Sequence, residues 1–347
     1  MRRMSVVGAL MALVIIAAPG TPAQSAPLEA TPSPVRILLT GDSLTQGSDG
    51  DFTWRYRLWH FLSGVPVDFV GPRDDLFDQD TQSHGCHLYA DPAFDPDHAA
   101  VSGTAFLVAP YSAEELISTY HPSVVVQAAG INDLVWLQRP PAAVAADAGE
   151  FVRRARSVDA DVDVILVPLP QFWFAQVIEY NRLLRDVAAR LDTPTSRVIA
   201  AQTDQGIALS VDTYDLVHLA STGEVTFAAA VADALSSLGI GSPPPRPLPR
   251  VPNGPRQVAE ISVRAGVRSF VLTWTDPPGG SAEYAWIRDT TAKRAWRRLP
   301  FPLLGGRFVR RGLVPGHRYA IRLQAAKEAA VSELHSRTVY VVPRKRR

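Results

Sequence analysis

Cysteine is nearly absent: Cys86 is the single thiol in 347 residues. One thiol closes no disulfide within the chain, and a structural zinc site needs several soft ligands together. A chain of this length manages without such staples because it buries cores large enough to stand unaided. Cys86 itself reads as a small packing residue rather than a nucleophile. Past the first 18 residues there is also no apolar run long enough to cross a bilayer. With 46% hydrophobic and 20% charged residues, the composition excludes a chain that is disordered throughout.

The length implies about two domains. Charge divides the chain: residues 1–249 hold 15 Lys and Arg against 28 Asp and Glu, a net −13, while residues 250–347 hold 20 against 6, a net +14. Regions so opposed are expected to do different jobs. At the start, Arg2 and Arg3 precede an apolar run from Val6 to Ala18, followed by Pro19, Gly20 and the small residues Ala23, Ser25 and Ala26. This pattern predicts a secretory leader over residues 1–26, cut between Ala23 and Ala26, and so a secreted, extracellular protein. An uncleaved anchoring segment is the other reading. No cysteine stands just after the apolar run, so nothing suggests a lipid anchor.

Behind a Pro27–Pro34 tether, Val35–Thr40 is apolar and β-branched and runs into Gly41, which predicts a buried strand ending in a tight turn. A helix is expected from Phe52 to Leu62, with Trp54, Leu58 and Phe61 on one face, then a strand over Val65–Val70. Gly71–Pro110 has few periodic signals and reads as a long polar loop, a length usually kept for function. Ser112–Glu115 forms a capping box opening a short helix to Tyr120. Strands are predicted at Pro122–Ala129, Val162–Pro168 and Arg197–Ala201, and helices at Ala142–Arg156, Phe174–Leu191 and Thr222–Leu238. Near-continuous apolar strands alternating with helices predict an α/β domain over 35–240, a mostly parallel sheet covered on both faces. Residues 241–256, GSPPPRPLPRVPNGPR, hold seven prolines and read as a semi-rigid linker. Beyond it, over 257–343, short runs rich in Val, Ile, Tyr and Trp predict an all-β sandwich.

Candidate chemistry lies at the carboxyl ends of the strands, where open α/β sheets place their sites. The turn after the first strand presents Ser43, which reads either as a nucleophile or as a helix cap. A serine nucleophile needs a base, a group to orient that base, and donors for the oxyanion. Asp215-Leu-Val-His218 can set a carboxylate against an imidazole, or be a surface pair. Asn132, in Gly130-Ile-Asn-Asp133, offers an amide N–H for an oxyanion or a turn-capping group. Gly103 lets a backbone N–H approach a ligand closely.

Together, Gly41-Asp42-Ser43-Leu44, Gly103, Gly130-x-Asn132-Asp133 and Asp215-x-x-His218, in this order, resemble the blocks of the GDSL/SGNH hydrolases. The resemblance covers about Val35 to Leu238. It implies a flavodoxin-like three-layer sheet, Ser43 as nucleophile, His218 as general base and Asp215 as its orienter. It also implies an oxyanion hole from the N–H groups of Ser43 and Gly103 and the side chain of Asn132, with no cofactor or metal. Asp95-Pro-Asp-His98…Ser102-Gly103 looks like a variant of a pattern found in secreted carbohydrate-esterase-like members, with Ala99, Ala100 and Val101 where those carry Glu-Gly-His. The α/β-hydrolase elbow Gly-x-Ser-x-Gly is missing, because Thr45 stands two places after Ser43.

His84, Cys86, His87, Asp91, Asp95, Asp97 and His98 crowd one loop, but their spacing fits no tight metal pattern and reads as a solvated loop. In the C-terminal part, Trp274 and Tyr319 look like the core tryptophan and tyrosine corner of a fibronectin type III-like domain. Tyr284, Trp286 and Trp296 read as cross-strand packing or a sugar-binding face. The basic balance, ending in Arg344–Arg347, either holds the protein to an anionic cell-surface polymer or pairs with the acidic part of the chain. Nothing accompanies it that reads nucleic acid. The expectation is a secreted esterase hydrolysing short-acyl or acetylated carbohydrate esters through an acyl-enzyme. The alternatives are a lipase for longer chains, a non-catalytic surface- or carbohydrate-binding protein on the same scaffold, and a metal-dependent hydrolase.

Overall fold

Stiff branched side chains pack well on a pleated surface, and the run Val35–Gly41 forms strand β1, with Ile37, Leu38 and Leu39 fully buried. The structure is a computed structural model describing residues 33–346. The expected leader, residues 1–26, and the tether up to residue 32 lie outside the described residues. In chain order there follow α1 (Ser43–Gln46), α2 (Thr53–Phe61), β2 (Val67–Val70), β3 (Leu76–Asp78), β4 (Ser83–Cys86), α3 (Ala113–Tyr120), β5 (Val124–Ala128) and α4 (Ile131–Val135). Next come α5 (Pro141–Val158), β6 (Asp163–Leu166), α6 (Ala175–Leu191), β7 (Val198–Ala200), α7 (Leu209–Asp212) and α8 (Ser221–Ser237).

Five of these strands make one parallel sheet in the order β2-β1-β5-β6-β7. This is the doubly wound order of flavodoxin-like folds, whose winding reverses beside the first strand and leaves a crevice there. Here the reversal falls between the carboxyl ends of β1 and β5. Side chains alternate across the sheet: Ile37 and Leu39 join one core with Trp54, Leu58 and Phe227, while Leu38 joins another with Val125, Leu116 and Ile117. The result is a three-layer α/β unit. Among the described residues no helix is long and apolar enough to cross a membrane.

The segment 71–110 differs from the expected polar loop. Its strands β3 and β4 pair as a hairpin, and Ala99 and Val101 donate their N–H groups to the carbonyls of Leu39 and Gly41 (2.8 and 3.1 Å). Backbone pairing orders it, not apolar periodicity: Ser83, His84 and Gly85 are exposed, so no alternation marks the strand in the sequence.

The remaining strands are β8 (Glu260–Gly266), β9 (Ser269–Thr275), β10 (Ala282–Asp289), β11 (Arg297–Arg298), β12 (Arg307–Arg311), β13 (Tyr319–Lys327), β14 (Ala330–Val331) and β15 (Val339–Val341). They form an antiparallel sandwich, β12-β9-β8 facing β11-β10-β13-β14, with β15 also on β13. Trp274 and Tyr319 lie in its core. The hydroxyl of Tyr319 accepts the N–H of Val314 at 3.1 Å, the backbone tie of a tyrosine corner. Trp286 and Trp296 pack under Arg322, and Tyr284 under Arg298, at 4.6–5.6 Å, a cross-strand arrangement of cations on aromatic faces. The described residues from 34 onward form one compact unit.

Candidate active site

Gly41 is required by close approach: a Cβ there would lie 2.1 Å from the carbonyl oxygen of Ala128. It lets β1 meet β5 just before the chain turns into α1. Asp42 caps that helix, its Oδ1 accepting the N–H of Leu44 at 3.0 Å. The carboxyl is fully buried, with Oδ2 unpartnered. Burial, opposed by that N–H and by the charge of His218, pushes it up to about 7.

Ser43 Oγ lies 2.9 Å from His218 Nε2, and His218 Nδ1 lies 2.6 Å from Asp215 Oδ2. A carboxylate at Nδ1 fixes that nitrogen as the protonated one, so Nε2 is the acceptor facing the serine hydroxyl. Asp215 Oδ1 accepts the N–H groups of Val217 (2.9 Å) and His218 (2.7 Å). Burial pushes the Asp215 carboxyl up, but the hydrogen bond and charge of His218 and the two backbone donors outweigh it and hold it below its ordinary value. The His218 and Asp215 side chains are 29% and 31% exposed, so the pair is open to solvent. The sequence-predicted Ser43, His218 and Asp215 are thus brought together in one hydrogen-bonded row.

The turn carrying the pair is held on several sides. Gln171 Nε2 and Trp173 Nε1 each donate at 2.9 Å, to the carbonyls of Val217 and Leu216. The ring of Tyr214 stacks on the imidazole, with centroids 5.8 Å apart and planes 16° from parallel.

The segment 101–106 is tied at four points. Val101 N–H donates to Gly41, Ser102 N–H to Gln46 Oε1 (2.7 Å) and Phe106 N–H to Asp133 Oδ2 (3.0 Å), while Asn132 Nδ2 donates to the carbonyl of Thr104 (2.8 Å). Gly103, at φ +80° with open space where a Cβ would stand, sits between these ties. The N–H groups of Ser43 and Gly103 have no acceptor among the described residues, and Asn132 keeps a second amide hydrogen beyond the one given to Thr104. Arg55, fully buried on α2, donates to the carbonyls of Thr45, Gln46 and Pro96 and locks α1 to the long segment.

The acidic and histidine-rich residues of that segment take separate partners. His87 pairs with Asp74. His98 is buried, with Nε2 donating to the carbonyl of Asp75 and Nδ1 accepting from Ala100; burial and the charge of Arg55 hold its pKa well below the ordinary value. Among the described residues no three His, Cys, Asp or Glu side chains gather as metal ligands.

The cleft lined jointly by Ser43 and His218 has room for about 10 Å³. A larger hollow of about 290 Å³, lined by Thr40, Gly41, Thr104, Phe106, Tyr111 and Gln127, opens beside the turns that flank Ser43 and Gly103. Sequence reasoning missed Gln46, Gln171, Trp173 and Tyr214. Tyr214 adjoins Asp215 and was within reach of a closer look at that motif; the others bear on the site only through tertiary contacts.

No protein-family model matches the chain, and no curated protein does. Among solved structures it is similar to a carbohydrate esterase family 3 protein from Talaromyces cellulolyticus, at 25% identity and a TM-score of 0.50, over 59% of this chain and 97% of that one. It is similar also to a family 3 carbohydrate esterase of Clostridium thermocellum, at 21% identity and a TM-score of 0.49, over 59% and 99%. The FN5 domain of Drosophila Lar aligns at 16% identity and a TM-score of 0.22, over 27% and 98%.

Proposed function

We propose that the protein is a serine esterase of the GDSL/SGNH type that removes short acyl groups, acetyl above all, from carbohydrate. The observation that carries the proposal is the row Ser43–His218–Asp215, with contacts of 2.9 and 2.6 Å and the accepting nitrogen turned to the hydroxyl. Ser43 Oγ attacks the ester carbonyl carbon while His218 Nε2 takes its proton. The negative charge formed on the carbonyl oxygen is met by the N–H groups of Ser43 and Gly103 and by Asn132 Nδ2. The tetrahedral species collapses, His218 returns the proton to the leaving alcohol, and an acyl group remains on Ser43. Water, losing its proton to His218, attacks the acyl carbon; the bond to Ser43 Oγ then breaks, His218 returns the proton to that oxygen, and the acid is released.

The carbohydrate reading is supported by the likeness to the Talaromyces esterase and by the exposed Trp136 and Trp173, aromatic faces suited to stacking on sugar rings. We further read residues 1–26 as a leader, 35–240 and 257–343 as the two domains with a linker at 241–256, and the exposed arginines of β11 and β12 as a surface for an anionic polymer outside the cell.

Hydrolysis of acetylated xylo-oligosaccharide, p-nitrophenyl acetate and p-nitrophenyl palmitate by the native protein and by Ser43→Ala tests the reading. Acetate release lost in the variant is the expected result. Preference for palmitate points to a lipase, and no turnover of any ester points to the binding-protein alternative.

A further inference from the structure

The C-terminal sandwich reaches the active-site turns with one side chain. Lysine is rare in the chain, at positions 293, 327 and 345, and Lys327, at the end of β13, is 4% exposed. Its Nζ donates to Ser48 Oγ (2.6 Å), to the carbonyl of Asp49 (3.1 Å) and to Asp51 Oδ1 (2.7 Å), which uses all three of its hydrogens. The ammonium also stands 4.7 Å from the ring centroid of Tyr214. This is the ring that stacks on His218, so ammonium, phenol and imidazole are in successive contact.

The surrounding bonds fix that ring. Ser48 Oγ gives its hydrogen to Asp51 Oδ2 at 3.0 Å, and so accepts from Tyr214 O–H, also at 3.0 Å. From the turn between β13 and β14, Ala329 N–H donates to the carbonyl of Tyr214 at 2.9 Å, and Ala330 is buried against Tyr214 and Ala220. Tyr214 is thereby held by the sandwich through its ring and its backbone, four residues before His218. The turn after α1 is held as well: Gly279 N–H donates to Asp49 Oδ2 at 2.6 Å, and a Cβ on Gly50 would lie 2.2 Å from the carbonyl oxygen of Pro278.

We propose that Lys327 is a positioning residue of the esterase site: through Ser48 and the ring of Tyr214 it fixes the imidazole of His218 against Ser43. The sandwich then completes the hydrolase instead of merely carrying it. The inference rests on Ser43 and His218 being the reacting pair. A buried lysine with every hydrogen satisfied would also serve as a simple dock, so the test must separate reactivity from stability.

The second-order rate of Ser43 labelling by a fluorophosphonate, with kcat and KM for p-nitrophenyl acetate, is measured for the full chain, Lys327→Met, Tyr214→Ala and the double variant, alongside their melting temperatures. A displaced general base costs up to about a hundredfold in rate. Lys327→Met is expected to lower labelling and kcat by about tenfold or more with KM held, and to add nothing further in the Tyr214→Ala background. A lower melting temperature with labelling unchanged, or losses that multiply in the double variant, overturns the proposal. If Lys327→Met does not fold, Ser48→Ala, which removes the hydroxyl linking Lys327 to Tyr214, is measured in its place against the same criteria. No labelling of the native protein overturns the active-site reading itself, and this inference with it.

Discussion

Asp215→Asn is the sharpest probe of the Ser43–His218–Asp215 row, because the bonds around the carboxylate dictate how the amide must sit. Oδ1 accepts two backbone N–H groups, at 2.9 and 2.7 Å, while Oδ2 faces His218 Nδ1 at 2.6 Å. An asparagine that keeps its oxygen on the two N–H donors turns its NH₂ to the imidazole. The flipped amide would point NH₂ at both donors and forfeit two hydrogen bonds, at about 0.5–1.5 kcal/mol each. Facing NH₂, Nδ1 becomes an acceptor, the proton moves to Nε2, and Nε2 can no longer take the proton of Ser43. The wrong tautomer costs about 10⁴ in kcat in a serine protease with the same three residue types. Steady-state kinetics on p-nitrophenyl acetate at neutral pH, with the melting temperature as a control, is the assay. The same fall should appear in fluorophosphonate labelling, which reads the nucleophile without turnover. A folded Asp215→Asn protein within about tenfold of the native kcat would refute the assignment of Asp215 and the tautomer argument together.

Two further outcomes follow from the structure. Asn132→Ala removes the amide donor and the tie to Thr104, and should lower kcat by about 10²–10³ with a smaller effect on KM; an unchanged kcat would remove Asn132 from the oxyanion site. In the sandwich, Glu283 is fully buried with both oxygens unpartnered, and burial, reinforced by the charge of Asp276, pushes it from 4.5 up to about 8. The folded state then holds a proton that the unfolded chain gives up, so the stability contributed is whole below pH 4.5 and is lost as pH rises through about 8. Melting temperature against pH should be flatter for Glu283→Gln than for the native protein, with the variant the more stable at pH 8; parallel curves would show that the carboxyl does not titrate this way.

What could be read from the sequence is local. Val35–Thr40 and Pro122–Ala129 announce buried strands because parallel sheets covered on both faces need unbroken apolar runs. The turns behind them carry short polar motifs whose residue types are dictated by geometry, so Ser43, Asn132, Asp215 and His218 stood out before their positions were known. The hairpin of β3 and β4 did not, since its strands are short and largely exposed. Nor did the hold of Gln46 on Ser102 or of Gln171 and Trp173 on the His218 turn, because a single side-chain bond to a distant backbone leaves no periodic trace. Lys327 is the extreme case: it lies 279 residues from Ser48, beyond a proline-rich stretch that reads as a spacer. Yet Asn253, within that stretch, binds the N–H of Thr222 and the carbonyl of Val211, so it is tied to the α/β unit at that point. The charge imbalance between the two regions was visible from the start and admitted two readings, a separate anionic partner or pairing within the chain. Lys327 among Ser48, Asp49 and Asp51 realises the second at one point, where a cation of the basic region is neutralised by the acidic turn that follows the candidate nucleophile.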